Sequence, residues 1–489
     1  MSDNSLKHLI SQTSLPELVG HYSYWTGHPE EFLHALLLML VSTNLGIYID
    51  IPPHPRVRAY PNIYTILVAP PGVHHKSTII AKERSMTSII DNKVKNSDFV
   101  KSVSVELSGS YEGIMEKMSK VEKIMFRNDE FGRFLSASAR GSYEAGALEA
   151  LNNAYYLKGT TSARRSLIVE GGVKEEEDKK KKKKVNKDLV VNDGTYTTLF
   201  AAIHEDEMTN EMYRIGMVRR SLVVYLSYPE IVVSDAAYDE DECRLADDLE
   251  DAIVEMLAKT RLRVIDQSFQ EKWVDKGMID GVPHFEKEIE QQKITFRYSE
   301  SAINFLRNLY KEAMTTAKKE ERQLYPDESV ELITRIGINV MLWDLVRKEG
   351  YGDLVLEEKH LVMAREFVEK INSNYVKTIS KIETKDTAER AKRVINYVEK
   401  VCDGKRLYIN QGEAMNAIGQ SWENQQRENA ILHAIGENKI GRMQVLYQKR
   451  TGSVLCLFRD IDRVLEELEK LKVEGKIVDY REGNGWRKF

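Results

Sequence analysis

Lys76, Ser77 and Thr78 close the run Ala69-Pro70-Pro71-Gly72-Val73-His74-His75-Lys76-Ser77-Thr78, and Asp129-Glu130 follow roughly fifty residues later. An amine, a hydroxyl and two carboxylates in this order suit the handling of a polyphosphate. Backbone N–H groups of a turn that opens a helix can cradle phosphates. Lys76 would meet the β- and γ-phosphates as a point charge, and the Ser77 hydroxyl would ligate Mg²⁺. Asp129 would hold the same ion through water, and Glu130 would polarise an attacking water. Gly72, His75, Lys76, Ser77 and Thr78 are therefore the nucleotide-binding candidates, with ATP and Mg²⁺ as the implied ligands. The spelling departs from G-x-x-x-x-G-K-[ST]: Pro70 and His75 stand where that pattern has glycines. An ordinary strand-to-helix turn with an exposed lysine shares the outline, and the Asp-Glu pair at this spacing favours the phosphate loop.

These residues need a parallel sheet to position them. An apolar, β-branched stretch at 62–68 leads into the loop, and a helix-compatible tract follows it. Further strands are expected at 101–106, 123–128, 196–203 and 220–227, alternating with helices, which is the pattern of a mostly parallel sheet. Residues 1–60 read as helical. From 236 to 384 the spacing of apolar residues is helical again, as for a lid behind a nucleotide-binding core. The last hundred residues, 385–489, restart with a helix over 389–401. They end with a helix over 460–473 and a hairpin turning at Gly483-Asn484-Gly485, the outline of a winged-helix domain. A second hairpin is expected over 443–458.

Three more features could carry chemistry. The strand at 196–203 ends in His204, where ring-forming ATPases place a polar sensor of the γ-phosphate; a capping or surface histidine is the plainer reading. Arg219-Arg220 precede the last strand, where an arginine can reach the nucleotide of a neighbouring subunit and stabilise the transferring phosphoryl group. A surface arginine favoured by a helix C-terminus would look the same. Arg335, in the helical region, could be a further sensor. Between the Asp-Glu strand and the His204 strand lies an insertion, about 164–191, with strand-like ends and the run Lys179, Lys180, Lys181, Lys182, Lys183 and Lys184 at its tip. A hairpin there could grip a nucleic-acid backbone by charge, without sequence preference. A solvated charged loop is the alternative.

Composition sets the frame. The chain has 489 residues, 71 Lys and Arg against 76 Asp and Glu, and a net charge of −5, so any nucleic-acid contact must come from local patches. Three cysteines, Cys243, Cys402 and Cys456, show no metal spacing; they fit a reducing compartment and buried apolar sites. The apolar tract 32–51 is broken by His34, Ser42, Thr43, Asn44 and Asp50, so it reads as a buried helix rather than a membrane span. No signal-peptide pattern opens the chain, and a cytoplasmic location is expected.

The chain resembles P-loop ATPases of phages, plasmids and archaeal mobile elements, a family of unknown function related to superfamily 3 and MCM-type helicases. The matching pieces are Tyr60-Pro61-Asn62-Ile63-Tyr64, Pro71 to Thr78, Asp129-Glu130-Phe131-Gly132 and Gly216-Met217-Val218-Arg219-Arg220, over about residues 15–385. Relatives often lack the second loop glycine and carry a basic residue before Lys-Ser-Thr, as His75 does here. The resemblance implies an α/β P-loop (AAA+/ASCE-like) core with a mostly parallel sheet. It also implies assembly into a homo-oligomer, a hexamer, and motor activity on DNA. The expectation is thus a hexameric, ATP-driven DNA motor, a replicative helicase of a virus, plasmid or other mobile element, acting on single-stranded or forked DNA. The alternatives are a DNA-binding regulatory or structural ring with little turnover, and a switch ATPase in transposition or defence.

Overall fold

The computed structural model describes residues 3–52, 59–70, 75–95, 97, 100, 102–107, 111–139, 145–158, 160–162, 189–191, 195–204, 207, 220–226, 239–279, 282–291, 293–319, 328–402, 406–418, 422, 424–437, 439–447 and 450–482. They form two compact units, 1–376 and 377–489.

Five strands form the sheet of the first unit: β1 (Tyr64–Ala69), β2 (Ser102–Glu106), β3 (Lys123–Asn128), β4 (Tyr196–His204) and β5 (Ser221–Tyr225). All are parallel, in the order β2-β3-β4-β1-β5. β1, β3 and β5 are buried along their whole length; β1 and β5 accordingly run apolar and β-branched without alternation, whereas β3 has an apolar centre, Ile124-Met125-Phe126, between buried polar ends. β2, at the edge, alternates exposed and half-buried residues. The strands expected from the sequence match these within about two residues.

Helices cover the sheet for local reasons. Ser14 caps the helix Leu15–Thr26 and forms a reciprocal capping box with Glu17, and Gly27 ends it in the left-handed region at φ 67°. The next helix, Glu30–Leu45, is buried from Phe32 to Leu45. It has the length and composition to cross a membrane, yet it lies inside the core, packed among the helices Leu15–Thr26, Lys76–Val94 and Val330–Arg347. Helices 240–268, 300–319 and 330–347 belong to the same hydrophobic core as the first helices and the sheet. The described residues from Glu240 to Ile371 are therefore continuous with the sheet domain.

That region is also not all helical. Phe269–Ile279 and Val282–Gln291 form an antiparallel hairpin, with a bulge between Pro283 and Phe285. Its signal is the Asp280-Gly281 pair between the two arms, a favoured two-residue hairpin turn. The charged insertion after Tyr155 has a paired base, Thr160–Ser162 against Leu189–Val191. The first arm therefore begins before the expected 164–170, which lies outside the described residues, as do Lys179 to Lys184.

In the second unit the expected helix over 389–401 is the end of one long helix, Glu358–Cys402. It is followed by a strand Ile409–Asn410, helices Gln411–Ile418 and Asn424–Gly436, a hairpin Ile440–Tyr447 and Arg450–Leu457, a helix Ile461–Val473 and a strand Asp479–Glu482. The four strands make one antiparallel sheet in which Asp479–Glu482 pairs with Ile440–Tyr447. The expected hairpin at Gly483-Asn484-Gly485 falls outside the described residues. Cys402 and Cys456 are buried as expected, whereas Cys243, in the first unit, is exposed.

Candidate functional site

The carboxyl ends of β1, β3 and β4 lie side by side, because Ala69 pairs with His204 and Asn128 with Ala201. In open α/β sheets this edge is where ligands bind. Lys76 opens the helix that follows β1. Its side chain is buried, with 7% exposure. Its ammonium donates to the carbonyls of Ala69 at 2.6 Å and Pro70 at 3.0 Å and lies 3.5 Å from His204 Nδ1. Lysine and histidine, 128 residues apart in sequence, thus meet at one strand end. Ser77 and Thr78 are exposed on the first turn of the helix. Gly72 lies outside the described residues.

His75 adopts the left-handed conformation, φ 50° and ψ 34°. That is the backbone state glycine occupies at no cost and other residues seldom adopt. The position where the sequence pattern has a glycine therefore carries a backbone conformation that glycine favours. The His28 ring stands 5.8 Å from the His75 ring. Burial, then the charges of Lys82 and His75, push its pKa down to about 4, so it is neutral at pH 7.

Asp129 and Glu130 are exposed just after β3. Asn128 places them: its side chain donates to the Leu107 carbonyl and accepts from the Glu130 N–H at 2.8 Å. The Glu130 carboxylate is held by Arg133 at 2.7 Å, an exposed pair on one helical turn. A buried pair fastens the loop helix to β3, with Arg127 Nε donating to Glu83 at 2.6 Å and Thr87 donating to the other Glu83 oxygen. The two flanking pieces of the site are thereby held in register.

Two carboxylates at this edge were not anticipated. Glu106 ends β2; burial, and then the negative charge of Asp129, raise its pKa. Glu207 accepts weakly from the His204 N–H at 3.4 Å and packs over Gly132, where a Cβ would come within 2.4 Å of its carboxylate. The signal for Glu106 was its place as an acidic residue at the carboxyl end of a strand. Among the described residues no group of three His, Cys, Asp or Glu could hold a metal alone.

No family model matches the chain, and no curated protein is significantly similar to it. Functional assignment therefore depends on the residues themselves.

The arginines lie elsewhere. Arg335 is fully buried. It donates to the carbonyls of Tyr60, Asn62 and Tyr155, to Asn62 Oδ1 and to Glu331, and its guanidinium stacks 3.7 Å from the Tyr155 ring centre. Tyr60 and Asn62 sit before the start of β1. At about 3.3 Å per residue, the strand puts them roughly 25 Å from the loop. Arg335 is thus a packing residue of the sheet's amino edge, not a nucleotide sensor. Arg220 stands at the same edge, since Ser221 pairs with Tyr64. Its Nε donates to the Tyr156 hydroxyl at 3.0 Å. It is half-buried, and it could serve a nucleotide only in another subunit. Arg219 lies outside the described residues.

Proposed function

We propose that the chain is an ATP-driven DNA motor, working as a hexameric ring, and that it serves as a replicative helicase of a virus, plasmid or other mobile element. The observation that carries this reading is the meeting of Lys76 with His204 at the carboxyl edge of a parallel sheet, beside Asp129 and Glu130. Lys76 neutralises charge on the β- and γ-phosphates. Ser77 and Asp129 hold Mg²⁺, which supplies further neutralisation of developing charge. Glu130 accepts the proton of the attacking water once it leaves Arg133, and His204 senses the γ-phosphate through its link to Lys76. Arg220 acts in trans. The strand order supports a P-loop core. The run helix–strand–helix–helix–hairpin in residues 377–457 supports a winged helix. The Lys179 to Lys184 tip grips single-stranded or forked DNA.

A second reading, a DNA-binding ring with little turnover, is favoured by the Arg133 pairing of Glu130. Steady-state ATP hydrolysis with and without single-stranded DNA separates the two. DNA-stimulated hydrolysis coupled to strand separation is expected. Nucleotide binding without turnover would select the second reading, and turnover without strand separation would select a switch ATPase in transposition or defence.

A further inference from the structure

Two helices of the first unit carry exposed charges without a partner. On the helix Glu300–Lys319, Ala302, Leu306, Leu309, Ala313 and Ala317 are buried. Arg307, Lys311, Met314 and Lys318 are exposed on another face. On the helix Glu240–Ser268, Ala246, Leu249 and Ile253 are buried, and Glu240, Arg244, Asp247 and Asp251 are exposed on the opposite face. Each exposed set is spaced i, i+4, i+7, i+11, which is one stripe along a helix. Among the described residues none of these charges makes an ion pair. Their helix neighbours do: Glu250 pairs with Lys82, Glu255 with Lys7, and Glu312 with Arg365.

The two stripes match in one orientation. Laid antiparallel, Arg307 stands opposite Asp251, Lys311 opposite Asp247 and Lys318 opposite Glu240. Arg244, the one base on the acidic stripe, then stands opposite Met314, which is 44% exposed. The match continues from Lys319 to Asp239, both exposed. Laid parallel, Lys311 would meet Arg244. Each stripe rises roughly 16 Å, so every pair forms when the helices cross at a shallow angle of about 20°. No ion pair among the described residues joins the two helices within one copy, which leaves the match to a second copy.

We infer that the helix Glu300–Lys319 of one copy docks antiparallel on the first half of the helix Glu240–Ser268 of the next. The inference rests on the ring reading above and gives the ring an interface, but it uses no nucleotide chemistry. Exposed ion pairs contribute little singly. Several in one register fix orientation and reject wrong alignments, because like charges in contact are costly. Tyr310, 56% exposed beside the stripe, and Met314 add apolar surface to the contact. Because two different helices meet, the contact can repeat from copy to copy, as a closed ring requires. A nucleic-acid backbone would suit the basic stripe alone and would leave the matching acidic spacing unused.

The test is the particle mass of the full-length chain over a range of concentration and salt, with and without ATP. The unaltered chain should assemble, and salt should weaken assembly because the charges are exposed. Lys311→Glu with Lys318→Glu, and separately Asp247→Lys with Asp251→Lys, set like charges against each other. Each pair of substitutions should raise the concentration needed for assembly at least about tenfold. An equal mixture of the two variants should assemble again, because the altered helix of each fits the altered helix of the other, and its closed rings should hold an even number of copies. All four substitutions in one chain should also restore assembly. A variant that had merely failed to fold could give neither rescue. Single-stripe variants that assemble like the unaltered chain, or variants with unchanged thermal midpoints that no mixture rescues, overturn this contact and leave the ring reading standing. Weaker DNA binding by the Lys311/Lys318 variant with unchanged assembly gives the basic stripe to nucleic acid and also overturns it. An unaltered chain that stays monomeric at every concentration, with and without ATP, overturns the ring reading as well.

Discussion

At the carboxyl edge of the sheet, Lys76 reaches strand carbonyls and His204, while Ser77, Thr78, Asp129 and Glu130 remain exposed around it. At the amino edge, Arg335 is fully buried, with carbonyls, an amide and a carboxylate around its N–H groups and Tyr155 against its face. Both edges hold a buried cation. One cation is a primary amine at a helix start, donating to two carbonyls where β1 ends and lying near His204. The other is a planar fork whose donors match fixed carbonyls, a role for which guanidinium is well shaped.

Substitutions on the two edges should therefore fail in different ways. Lys76→Ala should bring ATP hydrolysis to background, a loss of at least about 10³-fold, with a smaller fall in thermal midpoint than Arg335→Ala, since fewer carbonyls lose their donor. Normal turnover in that variant would remove the chemical distinction between the edges. Glu130→Gln should lower turnover by about 10³-fold and leave nucleotide binding intact, measured by fluorescent-nucleotide titration. Loss of binding instead would make Glu130 structural.

Arg335→Ala should act on stability. Removing it leaves the Tyr60, Asn62 and Tyr155 carbonyls without their donor, at a cost of about 3–5 kcal/mol, read as a lowered denaturation midpoint. A variant that keeps its midpoint but loses nucleotide affinity would restore Arg335 as a sensor. Arg220→Ala tests whether the amino edge serves a neighbour. It should bind ATP and hydrolyse it about 10²-fold more slowly. Mixing it with Glu130→Gln should restore part of the activity, because a mixed ring can contain an interface with both groups. No rescue, with subunit exchange demonstrated, would confine Arg220 to its contact with Tyr156.

The smallest effect lies away from both edges. His34 stacks on Phe367 at 3.9 Å, and burial, then the charge of Lys370, push its pKa down to about 3 from 6.5. The folded chain therefore refuses a proton that the unfolded chain accepts below pH 6.5. Stability is fully present above that pH and is lost as the pH falls towards about 3. His34→Leu should flatten this acid limb, by about 2–4 °C in the midpoint at pH 5. An unchanged limb would place the acid sensitivity in other groups.

Much of this architecture was legible because local chemistry and tertiary demand agree. Strands buried on both faces are mostly apolar, so β1, β5 and the apolar centres of β3 and β4 could be read from composition. The residue types and order of Lys76, Ser77, Asp129 and Glu130 were legible in the sequence, and the structure places them at the carboxyl edge of the sheet. The 269–291 hairpin was missed because its charged arms lack an apolar alternation; the Asp280-Gly281 dipeptide in the sequence was the local cue.

What the chain determined by itself is the set of reactive residues and the parallel sheet that could hold them. Only the tertiary structure decided which of them meet. Strand register put His204 beside Ala69 and hence next to Lys76, and it put Arg220 at the opposite edge. Packing of the helix Val330–Arg347 turned Arg335 from an apparent sensor into a buried clamp. Register and helix docking are set by contacts between residues far apart in sequence, and no local pattern encodes such distances.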